Sequence, residues 1–111
     1  MLLQVEVDTH DRKLCFDLMG NPKPLGPGAK AAISDDVTVT LGSMSIRKGF
    51  GVPETITLVV EFTSGVGASL VAAWLYNKLR GRSEKVRIER TEIQLDEGQI
   101  KRIITEKIER K

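Results

Sequence analysis

The sequence predicts an α+β domain: a mostly antiparallel sheet with two helices, the last one amphipathic and C-terminal. Three observations carry this expectation. Apolar and polar residues alternate through much of the first half and again over residues 85–95. After residue 66 the composition turns to Ala, Leu, Trp, Tyr and Lys. Residues 97–110 carry isoleucines at helical spacing. A chain of 111 residues suits one domain, 1–111, with a core large enough to need no covalent staples. With 41% hydrophobic and 29% charged residues, its composition is that of a folded protein rather than a disordered one.

The first element is a half-buried strand in which Leu3, Val5 and Val7 alternate with Gln4 and Glu6. THDRK supplies turn residues, and Leu14, Phe16 and Leu18 then alternate with Cys15 and Asp17, which predicts an antiparallel hairpin. The Pro/Gly-rich stretch GNPKPLGPGAK, residues 20–30, suits neither a helix interior nor a central strand; it reads as an ordered loop or as an arm crossing to another part of the structure. Alternation resumes at Val37, Val39 and Leu41 and again at Met44 and Ile46, with Gly42 marking a turn or bulge where the phase changes. This gives three or four strands before residue 53.

Next, Ile56, Leu58, Val60 and Phe62 share one face of a strand rich in β-branched residues. TSGVG ends it, and a helix over 66–80 follows, with Leu70, Val71, Trp74, Leu75 and Leu79 on one face. Lys78 and Arg80 sit in its last turn and Gly81 is placed to close it. Val86 and Ile88, then Ile93 and Leu95, predict a strand pair or one bent strand over 85–95. Asp96 stands as N-cap with Gln99 at capping-box spacing, opening a helix striped by Ile100, Ile103, Ile104 and Ile108.

No motif for catalysis emerges. Asp8, His10, Asp11 and Cys15 hold a base and a nucleophile, but they crowd one short turn, and a polar hairpin explains them. One Cys and one His fall short of a zinc site. GPGAK and SGVGAS bear glycines, yet neither has the lysine and hydroxyl of GxxxxGKS or GxxxxGKT. The chain therefore reads as non-enzymatic, with no catalytic residue, cofactor, metal or small-molecule substrate inferred; a nucleotide-binding domain using the glycine loops stays as a further alternative.

The formal charge of +2 is too small to signal nucleic acid, but it is unevenly spread: residues 78–111 sum to +4 and residues 1–77 to −2. Lys78, Arg80, Arg82, Lys85, Arg87 and Arg90 form a candidate patch for an anionic partner, nucleic acid or an acidic membrane surface. Against nucleic acid, no aromatic residue lies within the patch for base stacking, and Arg87 and Glu89 can form a simple charge ladder.

Residues 56–76 hold one charge and are long enough to span a bilayer. Glu61, the threonines and the TSGVG break count against a span, and a strand followed by a helix accounts for the same residues. With one cysteine there is no intrachain disulfide, and MLLQVEVDTHDRK has neither a basic n-region nor a long apolar run. The expected location is the cytoplasm, with membrane association as the alternative. A helix over 66–80 that is apolar or small on almost every side needs cover beyond one sheet. That points to an interaction or assembly module, self-associating or docking another protein through Leu70, Val71, Trp74, Leu75 and Tyr76.

Residues 72–95, AAWLYNKLRGRSEKVRIERTEIQL, resemble the small effector-associated constant component domains of bacterial conflict systems. Those domains combine a small-residue-rich helix bearing a Trp-Leu pair, here Trp74 and Leu75, with a basic segment and a strand. The resemblance implies a non-enzymatic adaptor that links a sensor or effector to other components, and it assigns no functional residue.

Overall fold

Every β-strand alternates its side chains between two faces, and here one face is closed and the other open. The computed structural model describes residues 2–11, 13–20, 26–45, 53–63 and 68–109. In chain order they form β1 (Leu2–Thr9), α1 (Leu14–Leu18), β2 (Lys30–Ser34), β3 (Val37–Ser45), β4 (Glu54–Phe62), α2 (Ala68–Leu79), β5 (Lys85–Ile88), β6 (Thr91–Ile93) and α3 (Glu97–Glu109). The strands make one six-stranded sheet in the order β2-β3-β4-β1-β5-β6, every pair antiparallel. Since β4 and β5 both run opposite to β1, they are parallel to each other, and α2 is the crossover between them.

Leu3, Val5 and Val7 of β1, Val37, Val39 and Leu41 of β3, Ile56, Leu58, Val60 and Phe62 of β4, and Val86 and Ile88 of β5 are buried on one face. The three helices cover that face with Leu14, Leu18, Val71, Leu75, Leu79, Ile100 and Ile104 in the same core. The opposite face carries Gln4, Glu6, Asp8, Thr38, Thr40, Thr55, Thr57 and Arg87, all only partly exposed among one another. A two-layer α+β arrangement results, and among the described residues no helix covers the second sheet face.

Several expectations are met in detail. The N–H of Gln99 donates to Asp96 Oδ2 at 3.1 Å and that of Ile100 to the Asp96 carbonyl at 3.0 Å, so Asp96 caps α3. Gly81, at φ 72°, takes the left-handed conformation just past α2. The β3–β4 register shifts between Leu41 and Ser43, placing a bulge at Gly42, where a Cβ would lie 3.3 Å from the Thr57 carbonyl oxygen. Residues 85–93 form the hairpin β5–β6, with Ile88 opposite Thr91. Its two-residue turn puts Glu89 and Arg90 at φ 50° and 70°, the backbone of a type I′ turn built without glycine or asparagine.

Other expectations are corrected. Residues 14–18 are not a strand paired with β1; they form α1, and β1 pairs with β4 and β5 instead. Leu14, Cys15 and Leu18 turn inward at helical spacing, leaving Phe16 45% exposed. Among the described residues the helices are therefore three, not two. Residues 30–34 are a strand that alternation alone does not reveal, since alanine has little strand preference. Residues 56–76 divide between β4 and the 12-residue α2, and no helix among the described residues is long and apolar enough to cross a membrane. Ile46, Val66 and residues 21–25 of the Pro/Gly stretch lie outside the described residues.

Candidate functional site

The polar turn after β1 does not gather its reactive groups. Asp8 lies on the open sheet face, where Arg87 grips its carboxylate with both guanidinium nitrogens, Nη1 to Oδ2 at 3.0 Å and Nη2 to Oδ1 at 2.9 Å. The Thr55 hydroxyl donates to Asp8 Oδ1 at 2.9 Å, and Glu6 comes within 3.6 Å of Arg87. Cys15 is on the other side of the sheet, inside the core, where burial pushes its thiol pKa up and nearby Glu54 adds to the shift. His10 is exposed beside Glu84. Asp8 and Cys15 thus lie on opposite sides of the sheet, His10 is exposed while Cys15 is buried, and among the described residues no cluster of His, Cys, Asp and Glu is arranged to hold a metal.

Asp11 belongs to a second ionic cluster. Arg82, in the turn after α2, donates from Nε to Asp11 Oδ2 at 2.6 Å and from Nη2 to Asp17 Oδ2 at 2.7 Å. Its carbonyl accepts a hydrogen bond from the Thr9 hydroxyl, and that hydroxyl accepts from the Asp11 N–H at 3.0 Å. Thr9, fully buried, joins the end of β1 to this turn.

These contacts dismantle much of the predicted basic patch. Arg82 and Arg87 are each committed to two carboxylates, and Lys85 lies 3.9 Å from Glu92. The expected Arg87–Glu89 ladder is absent among the described residues: Glu89 instead meets Lys107 on α3. Arg80 stands over the Tyr76 ring, 5.9 Å from its centroid. Lys85 and Arg87 also point to the open sheet face, whereas Lys78 and Arg80 belong to the helical layer, so the six cations do not form one surface.

Helix α2 carries Leu70, an exposed large apolar side chain like Leu2 of β1 and Phe16 of α1. Its inward face is Ala68, Val71, Ala72, Leu75 and Leu79. Val71 and Leu75, predicted as contact residues, are fully buried within the chain and unavailable to a partner. At 100° per residue, Leu70, Ala73, Trp74 and Asn77 line the outer ridge, with Tyr76 on the flank. Leu70 is 40% exposed, while Trp74 packs partly on the core and keeps part of its ring at the surface. An open groove of about 320 Å³ lies between the β5–β6 turn and α3, floored by Ile88 and Ile103 and crossed by the Glu89–Lys107 pair. The glycines of GPGAK turn the chain into β2, with the Gly28 N–H donating to the Leu41 carbonyl at 2.7 Å; residues 64–67 of the other glycine loop lie outside the described residues.

The sequence did not single out Thr9 or Asp17, whose partners are far along the chain. Only an acidic and a hydroxyl residue near a turn could have hinted at them. Compared with known proteins, the chain matches no family model, no curated protein and no solved structure.

The ion pairs set a pH dependence. Arg87 holds the Asp8 carboxyl below its ordinary value against the opposing effect of burial, and Arg82, with the Lys13 amide, does the same for Asp11. The unfolded chain therefore binds protons on these groups at higher pH than the folded one. Their stabilisation is complete above the unfolded carboxylate pKa of about 4 and is lost as the pH falls through the lower folded values. Urea midpoints are expected to drop between about pH 5 and pH 3, and less steeply in Asp8→Asn. A flat wild-type profile over that range would refute the assignment.

Proposed function

We propose that the protein is a non-enzymatic interaction module that self-associates through the outer ridge of α2. The observation that carries this reading is Leu70, a large apolar side chain left 40% exposed one helical turn from the half-open Trp74, on a helix whose other face is fixed to the sheet. Tryptophan is the kind of aromatic anchor that carries contact energy, and Leu70 widens the apolar area beside it. The resemblance of residues 72–95 to effector-associated constant components agrees with it and extends it to an adaptor role. On that reading the protein joins other components rather than transforming a substrate.

Leu70→Asp tests the proposal without touching the core. Light scattering on wild type should give a multiple of the 12.3 kDa chain mass, and Leu70→Asp should lower that multiple with the circular dichroism unchanged. Trp74→Asp should do the same at some cost in stability, because the indole also packs on the core. Equal masses for wild type and Leu70→Asp would overturn the proposal.

A further inference from the structure

The two ends of the sheet differ. At one end β6 is three residues long and sits beside a charged turn. At the other, β2 offers an edge, KAAIS, with no charge between Lys30 and Asp35 and no strand on its outer side among the described residues; its pairing with β3 is regular over Lys30–Ala32 and shifts register between Ala32 and Ser34. Edges of this kind attract another strand unless they are guarded. The backbone shows which groups are free. The Ala29 carbonyl accepts from the Leu41 N–H at 2.8 Å, so the antiparallel alternation turns the N–H and C=O of Ala31 toward β3 and those of Lys30 and Ala32 outward.

We propose that this edge pairs antiparallel with the same edge of a second copy, joining two six-stranded sheets into one. The charge pattern selects that occupant and that direction. Centred on Ala32, the pairing brings Lys30 of each copy alongside the end of the other strand that follows its register shift, Ser34 to Asp36, so each end brings a cation to two exposed carboxylates. Parallel pairing would instead place Lys30 against Lys30 and the aspartates against each other. The contact also adds cover to Ala31 and Ile33, two apolar residues that the chain's own helices leave half-open. The contact is isologous and independent of α2. With both contacts present, the protein assembles beyond a dimer.

Two variants of the full chain test it in the Leu70→Asp background, where the α2 contact is removed. The outward N–H of Ala32 makes no bond to β3, so Ala32→Pro deletes a donor needed only by the partner strand. Ala32→Cys places two thiols across the two-fold axis at the roughly 5.5 Å Cα spacing of a hydrogen-bonded pair, within disulfide range. Cys15 is buried and does not compete. Leu70→Asp should have twice the 12.3 kDa mass. Adding Ala32→Pro should halve it with unchanged circular dichroism, and Leu70→Asp/Ala32→Cys should oxidise to a covalent dimer. A monomeric Leu70→Asp, or an Ala32→Cys chain that stays unlinked under oxidant, overturns β2 pairing while leaving the α2 reading intact. If Leu70→Asp keeps the wild-type mass but Ala32→Pro lowers it, the α2 reading falls and β2 pairing stands.

Discussion

Leu75→Ala is expected to lower the unfolding free energy by about 3 kcal/mol, whereas Leu70→Ala, five residues earlier on the same helix, should change it by no more than about 0.5 kcal/mol. Leu75 is fully buried on the face of α2 that meets the sheet, so truncating it removes apolar contact and leaves a cavity in a layer pinned by its neighbours. Leu70 is 40% exposed and its truncation opens no cavity. Urea unfolding of the two variants reads the difference directly. If both cost the same, α2 is not oriented as described and Leu75 returns to the list of contact residues. The pair also separates folding from assembly: Leu75→Ala should lose stability before it loses self-association, and Leu70→Ala the reverse.

The rotation of α2 shows how a correct element can be assigned the wrong face. Leu70, Val71, Trp74 and Leu75 occupy one arc of the helical wheel, and size favours that arc as the buried one. The true inward face is turned toward Ala68 and Ala72, because small residues let a helix approach a sheet closely. Apolar pattern located the helix, but only packing decided its rotation. A similar ambiguity hides α1. Five residues span little more than one helical turn, so Leu14, Phe16 and Leu18 satisfy a strand's alternation as well as Leu14, Cys15 and Leu18 satisfy a helix's spacing.

Strands whose signal is their own alternation were legible: β1, β4 and β5 bury the residues that the pattern selected, and β3 buries Val37, Val39 and Leu41. The Asp96 cap and the Gly42 bulge were legible for the same reason, since each depends on residues a few positions apart. The ionic clusters were not. Arg82 and Asp17 are 65 positions apart, and Arg87 and Asp8 are 79 apart, so only the strand order brings them together. The basic segment looked like an open patch because its neutralising carboxylates come from β1, α1 and the turn between them at the other end of the chain. The β2 edge was hidden by its alanines and becomes visible as a surface only when the sheet order leaves it at the end.

The second large effect falls on the Arg82 clamp. Arg82→Ala should cost about 2 kcal/mol, the scale of two charge-assisted hydrogen bonds partly discounted for solvent access. The loss has a specific structural consequence. Arg82 joins the α2–β5 turn to Asp11 before α1 and Asp17 within it, and Thr9 fastens the same turn to the end of β1. Without the guanidinium, two carboxylates face the turn with no cation between them, so α1 should loosen before the sheet does. Arg82→Lys should recover only part of the loss, because a single ammonium lacks the fork that reaches both acids. Thr9→Val removes a fully buried hydroxyl that both donates and accepts, and should cost about 1–2 kcal/mol. Hydrogen exchange distinguishes this clamp from general destabilisation. In Arg82→Ala the amides of residues 13–20 should lose protection first, while those of β1 and β4 follow only the global decrease. Uniform loss across the chain would show that Arg82 stabilises the whole fold without holding α1 in particular.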